Sequence, residues 1–194
     1  RMGGNPALLC YRAWFWLKDQ DFEVIHFTEW HTLGYYCVSA KKCGQAFQNT
    51  LLCVSLRSSS RWCREGEEQE VKSLAMMETD FLEQRTTELA DLVFAPSRHI
   101  AEWVKAKGWA LPGPVFHQPN LIQIPEFSLP PPKSASIREI VFFGRIQPRK
   151  GLFEFCDAID LLTAEQLSGV TIGFLGAQVT SPVDSRAHVN TKAA

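Results

Sequence analysis

The sequence predicts an α/β protein with two parallel sheets, and three observations support this prediction. Short apolar runs, typical of strands buried on both faces, recur along the chain. They alternate with segments in which apolar residues have helical spacing. A proline-rich stretch interrupts the alternation once, between residues 120 and 138. Because strands that alternate with helices are typical of parallel sheets, we expect one α/β unit on each side of this stretch.

The first unit is predicted to contain three strands separated by helices. The predicted strands are residues 23–27, 50–56 and 92–95. The predicted helices are residues 7–18, 33–43, 67–89 and a short helix between Ser97 and Gly108. Gly44 is expected to end the second helix, Ser97 to cap the fourth, and residues 57–62 to form a polar loop.

The helix predicted over residues 67–89 has an acidic beginning, which suits the positive end of a helix dipole. Its predicted buried face consists of Val71, Leu74, Ala75, Leu82 and Leu89.

The second unit is predicted to contain a strand at residues 139–143, a helix, and a strand at 170–175. The first unit has no glycine-rich opening turn, and the second ends after two strands. We therefore expect both units to be incomplete.

Composition and charge exclude several classes of function. The 20 basic and 21 acidic residues nearly balance, which gives no reason to expect a nucleic-acid partner. No apolar run approaches the ~20 residues of a membrane-spanning helix. The six cysteines form no C-x-x-C pair, so we expect no metal site. Mostly buried, reduced thiols in a cytoplasmic protein are the expectation.

Residues 142–151, FFGRIQPRKG, combine the features that suit an anion-binding loop. The apolar strand ends at Gly144, where the missing side chain lets a ligand approach the backbone. Arg145 and Lys150 bracket the loop, and a helix is predicted to begin near Gly151. Ligands of parallel sheets bind at the carboxyl ends of strands, so these cations suit a diphosphate. A basic surface turn without a ligand is the alternative.

This loop resembles the signature of a known enzyme family. Gly144-Arg145 followed by Lys150-Gly151 is similar to the G-R-x-x-x-x-K-G motif of glycosyltransferase family 4, whose fold is GT-B. Three other segments resemble that family in the same order, namely FEVIHFTEW, ADLVFAPSRHIAEWVKAKGW and VFHQPN. The resemblance implies two incomplete Rossmann-like domains. Residues 1–119 would be the C-terminal part of an N-terminal, acceptor-side domain, and residues 139–194 would be the start of a C-terminal, donor-binding domain. Residues 120–138 would be the linker between them.

The resemblance also implies a function, the retaining transfer of a hexosyl group from a nucleotide diphosphate sugar. The expected acceptor is a glycan or a lipid-linked glycan, as in polysaccharide biosynthesis, with peripheral membrane association open for a full-length protein. Arg145 and Lys150 would be catalytic, because with Gly144 they would hold the donor diphosphate and stabilise charge on the leaving nucleotide. Neither a metal nor another cofactor is expected. Arg149 has the same charge in the same loop but lies outside the signature.

Two departures from the family pattern affect this expectation. Arg57 occupies a position where the family commonly presents a histidine near the donor sugar. The family's paired glutamates would lie beyond residue 194, so we expect the fragment alone to be a poor or inactive catalyst. His26 and Glu29 resemble the acceptor-side loop, with a role at the core edge as the alternative for His26. The alternative functions are a non-catalytic phosphate- or nucleotide-binding α/β module and an inactive truncated gene product.

Overall fold

A computed structural model describes residues 6–123 and 137–177. The chain divides into two compact units, which we describe separately. Unit 1 comprises Arg1–Cys63 and Glu70–Gln123, and unit 2 comprises Arg64–Gln69 and Ile124–Ala194. The predicted linker lies largely outside the described residues, so the domain boundaries at 119 and 139 stay predictions.

Unit 1 is built on a four-stranded parallel sheet flanked by helices. The strands, in spatial order, are β1 (Val24–Thr28), β2 (Leu51–Ser55), β3 (Leu92–Ala95) and β4 (Val115–His117). The helices in this part of the chain are α1 (Pro6–Leu17), α2 (Tyr35–Lys42), α3 (Ser60–Gly66), α4 (Leu74–Glu88) and α5 (Arg98–Ala106). The three predicted strands and the α/β class are therefore confirmed.

The core of unit 1 lies between the sheet and its helices. Leu52 and Val54 of β2 are fully buried, and Val93 of β3 pairs with Val54 in the same register. Helices α2 and α5 contribute Val38 and Val104 to the same cluster. Each such side chain stabilises the fold by about 1.5–3 kcal/mol, so the apolar runs that predicted the strands also supply the core.

The prediction for α4 was wrong at its amino end. The helix begins at Leu74, because the hydroxyl of Ser73 caps it by accepting a hydrogen bond from the Met76 N–H at 3.3 Å. The acidic residues 65–70 therefore precede the helix. Leu74, predicted to face the core, is 80% exposed, whereas Leu82 is buried as predicted.

Two further local assignments differ from the sequence-based expectation. Residues 60–66, which overlap the predicted polar loop, form the short helix α3. The stretch that leads into the linker contains β4, which is only three residues long. By contrast, the predicted Ser97 cap is confirmed, since its hydroxyl accepts the Ile100 N–H at 3.4 Å. Gly44 and Gly108 follow their helices with φ of 71° and 77°, as helix-ending glycines do.

Unit 2 contains a two-stranded parallel sheet with a helix between its strands. These elements are β5 (Glu139–Phe143), α6 (Leu152–Asp160) and β6 (Thr171–Leu175). The core is small and aromatic, because Phe142 and the buried Leu152 pack with Phe155 and Phe174. Both predicted strands are confirmed.

All six cysteines are free, and four of them are buried. This confirms the expectation of mostly buried thiols. Burial raises the pKa of the Cys37 thiol to about 12, so this side chain stays protonated near neutral pH.

The carboxylate of Asp91, just before β3, ties three parts of unit 1 together. It forms an ion pair with Lys41 of α2 at 2.6 Å and accepts the Leu52 N–H of β2 at 2.8 Å. Both charged side chains are only 19% exposed. We expect Asp91→Ala to destabilise unit 1 by about 2–3 kcal/mol, because a mostly buried ammonium and an amide each lose a partner. Urea unfolding followed by tryptophan fluorescence measures the change.

The matched control for this prediction is Asp19→Ala. Asp19 also pairs with a lysine, Lys18 at 3.0 Å, but it is 66% exposed. Exposed pairs contribute little, so the control variant should unfold at nearly the wild-type urea concentration. Equal effects of the two substitutions would contradict a structural role for Asp91.

Candidate functional site

The loop that follows β5 is held beside the end of β6 by main-chain hydrogen bonds. Gly144 N–H donates to the Leu175 carbonyl at 3.0 Å, and Ile146 N–H donates to the Ala177 carbonyl at 3.1 Å. A 3-10 turn at Pro148–Lys150 follows, and Gly151 has a φ of 79° immediately before α6. The loop is thus fixed at the carboxyl end of a parallel sheet, where the sequence predicted it.

Glycines let the ends of the two strands approach closely. A Cβ atom added to Gly176 would lie 1.7 Å from the carbonyl oxygen of Gly144, a distance that no side chain tolerates. Gly144 itself has a φ of 156°, which disfavours residues with a side chain. Gly176 is therefore required here for backbone packing and Gly144 for its backbone conformation, whether or not a ligand binds.

Arg145 and Lys150 present their charges to solvent at this loop. Both residues are exposed, and neither side chain forms a hydrogen bond or an ion pair with another residue of the described ranges. Two cations without an intramolecular counter-charge are suited to bind an anion.

Arg149 differs from these two cations. Its Nε lies 3.2 Å from Oε1 of Glu67, and the two side chains are only 19% and 12% exposed. The sequence placed Arg149 in the same exposed loop as its neighbours, but its guanidinium is committed to this ion pair. Replacing Arg149 would therefore disturb packing as well as charge, which makes it unsuitable as a control for the other two.

Gln147 was not singled out in the sequence, yet it is the most buried polar side chain of the loop. It is 2% exposed, and its Nε2 has no hydrogen-bond partner among the residues the structure describes. A buried amide without a partner normally costs free energy. No local sequence signal distinguishes it from an exposed loop glutamine.

In unit 1, the carboxyl ends of β1 and β2 bring together His26, Glu29 and Arg57. Nε2 of His26 shares a hydrogen bond of 2.6 Å with the hydroxyl of Ser55 on the neighbouring strand. The His26 ring also lies 5.3 Å from the ring of Phe94 on β3. Burial, and then the charge of Arg57, lower the pKa of His26, so the imidazole is neutral near pH 7.

Glu29 is fully buried rather than exposed to a ligand. Its two carboxylate oxygens accept the backbone N–H of Arg57 at 2.6 and 2.8 Å. Burial raises the pKa of this carboxyl, and the amide hydrogen bonds oppose the shift. In this geometry the carboxylate holds the backbone of the loop that presents Arg57.

The guanidinium of Arg57 lies at the surface and donates a hydrogen bond to the side-chain oxygen of Asn120. Asn120 follows β4, and the two residues are 63 positions apart in the sequence. No local sequence pattern links these two residues. The fold places both at the same edge of the sheet, beyond the ends of β2 and β4.

The described part of the chain contains neither a cluster of metal ligands nor a membrane-spanning helix. No group of three or more histidine, cysteine, aspartate or glutamate residues there could hold a metal ion. None of its helices combines the length and the apolar character that crossing a bilayer requires.

Comparisons with known proteins yielded no match to this chain, whether to family models, to curated proteins or to solved structures.

Proposed function

We propose that this chain is part of a retaining glycosyltransferase of family 4, with two Rossmann-like domains in the GT-B arrangement. The loop of residues 144–151 would bind the diphosphate of a nucleotide-sugar donor. One observation carries the proposal: Arg145 and Lys150 are exposed, without a counter-charge in the described residues, at the carboxyl end of a parallel strand. This is the place where α/β sheets bind ligands.

The two cations have complementary chemistry toward a diphosphate. The planar guanidinium of Arg145 can form two parallel hydrogen bonds with phosphate oxygens, and Lys150 supplies a compact charge. When the glycosyl bond breaks, negative charge grows on the departing nucleotide. Fixed cations then stabilise the transition state more than the bound donor, which is the requirement for catalysis without a metal.

At the edge of unit 1, His26 and Arg57 would contact the donor sugar or the acceptor. Arg57 lies where the family commonly presents a histidine, and its guanidinium can donate to a sugar hydroxyl or a phosphate. Glu29 acts through the backbone of Arg57 and not through its own contact with a substrate. A glycan or lipid-linked acceptor and a cytoplasmic location belong to the same proposal.

Calorimetric titration of the 194-residue chain tests the donor site. The probes are UDP, GDP and ADP, each compared with its nucleoside monophosphate and with inorganic diphosphate. We expect one nucleoside diphosphate to bind about tenfold more tightly than its monophosphate, because the second phosphate adds a charge-assisted contact. Equal, millimolar binding of all the probes would contradict the proposal.

Product analysis tests directly for catalysis by the chain. The chain is incubated with the nucleotide sugar that corresponds to the tightest diphosphate, and released sugar is followed by NMR, which also reports the anomeric configuration. Release with retention supports the transferase. Tight binding without release fits both the transferase, whose fragment we expect to be a poor or inactive catalyst, and a non-catalytic nucleotide-binding module.

A further inference from the structure

Residues 57–60, which lead from β2 into the first residue of α3, are held by two buried glutamates from different parts of unit 1. Glu29, after β1, accepts the Arg57 N–H. Glu83, from α4, accepts the Ser60 N–H at 2.6 Å and the Ser60 hydroxyl at 2.8 Å. The segment is therefore fixed at both of its ends by a carboxyl group.

Both carboxyl groups are removed from water, with exposed fractions of 0%. Their partners are amide groups and a hydroxyl, and neither forms an ion pair with a described residue. An ionised carboxylate in such surroundings loses several kcal/mol of hydration energy. Amide hydrogen bonds offset only part of that loss, so burial raises the pKa of both carboxyl groups, and that of Glu83 to about 7.

We propose that Glu29 and Glu83 form a proton-controlled clamp on residues 57–60, closed when Glu83 is protonated and loosened when Glu83 ionises. The clamp determines whether Arg57 is held beside Asn120. It does not depend on the identity of the ligand and therefore stands apart from the proposed transferase activity.

The protonated state can keep both contacts of Glu83. One oxygen of the neutral carboxyl group accepts the Ser60 N–H, while the protonated oxygen donates its O–H to the Ser60 hydroxyl. The proton comes from solvent and returns to it, so no other reactant is needed. On ionisation, the hydrogen bonds remain available, but the carboxylate regains hydration only if the segment opens.

The direction of the pH dependence follows from the pKa of Glu83. Burial raises this pKa from its ordinary value of 4.5 to about 7, and the Ser60 hydrogen bonds oppose the shift. The negative charges that face Glu83 are Glu29 at the end of β1 and Asp80 on α4, and both raise its pKa further. The stabilisation of the closed clamp by the proton is complete below pH 4.5 and is lost as the pH rises through about 7.

Hydrogen exchange of the backbone amides of residues 57–60 tests the clamp on the intact chain. Protection factors are measured by mass spectrometry between pH 5.5 and 8 and corrected for the intrinsic pH dependence of exchange. We expect protection of this segment to fall about tenfold or more over that range, because the pKa of Glu83 is raised only in the closed form. Glu83→Gln mimics the protonated side chain and should keep the segment protected throughout.

One further variant serves as a control and another as a second test of the clamp. Glu88→Gln alters another carboxylate of α4, which accepts the Ala110 N–H at 3.0 Å, and should leave the exchange of residues 57–60 unchanged. Glu29→Gln removes a like charge and should move the midpoint of the transition to lower pH. His26 is intact in all of these variants, so any contribution from its titration would persist in Glu83→Gln.

The proposed clamp is wrong if the protection of residues 57–60 in the wild type does not change between pH 5.5 and 8. It is equally wrong if Glu83→Gln shows the same fall as the wild type. Should Glu83→Gln fail to fold, the wild-type profile and the shift in Glu29→Gln still decide the question. None of these measurements uses a nucleotide, so their failure is distinguishable from failure of the proposed donor site.

Discussion

Replacing Arg145 or Lys150 by alanine should weaken the binding of the preferred nucleoside diphosphate roughly 10- to 100-fold. Each substitution removes a charge-assisted contact worth about 1.5–3 kcal/mol, and about 1.4 kcal/mol corresponds to a factor of ten. Because both side chains are exposed, hydrogen exchange of the β5 and β6 amides in each variant should match that of the wild type. Calorimetry with the same diphosphate measures the loss, and the corresponding monophosphate should be affected less.

Arg138→Ala is the matched control for these variants. Arg138 is also an exposed cation of unit 2, but it precedes β5, at the opposite end of the strand from the loop. Its substitution should change the affinity less than twofold, since little Coulomb attraction survives in water over that distance. Equal, small losses for the three variants would indicate a merely basic turn. Arg149→Ala is excluded as a control because it would leave the mostly buried Glu67 without its ion-pair partner.

Gly176→Ala should destabilise unit 2 by about 3 kcal/mol or more. Its Cβ would lie 1.7 Å from the carbonyl oxygen and 2.6 Å from the carbonyl carbon of Gly144. Both are backbone atoms, so no side-chain rotation relieves the overlap, and the strand ends must separate. This separation would break the main-chain hydrogen bonds that fix the loop beside β6.

Hydrogen exchange over residues 139–177 is the suitable measurement for Gly176→Ala. All six tryptophans lie in unit 1, so tryptophan fluorescence does not report on β5 and β6. Exchange of the β5 and β6 amides should accelerate by about two orders of magnitude. Gly113→Ala, where an added Cβ meets nothing within 4 Å, is the control and should leave that exchange unchanged. Wild-type exchange in Gly176→Ala would show that the strand ends are further apart than described.

The strands were predictable because the signal for a buried parallel strand is local. The run LLCVS of β2 is almost wholly buried, and its apolar character needs no knowledge of the rest of the chain. The strands β5 and β6 followed from the same signal. The strand β4 was not predicted, because its three residues, two of them exposed, form neither an apolar run nor an alternation of apolar and polar residues.

The beginning of α4 was mispredicted because two local signals compete there. The acidic residues 65–70 resemble the first turn of a helix, whereas Ser73 provides a capping hydroxyl. The tertiary structure resolves the competition, since Glu67 pairs with Arg149, which is 82 positions away in the sequence. An acidic residue that suits a helix dipole is thereby used in a long-range ion pair.

Local sequence patterns predict the α/β class, the parallel strands and the position of a basic glycine-containing loop after β5. These features depend on residue patterns within about ten positions, where periodicity and chain stiffness act directly. Which charges of that loop are available depends on the folded chain, because the partner of Arg149 is distant in sequence. The tertiary structure also turned Glu29 from a candidate ligand contact into a buried support for Arg57, and it brought Glu83 to Ser60. The burial and pairing of side chains depend on which distant segments meet in the folded chain, and those contacts leave no local pattern in the sequence.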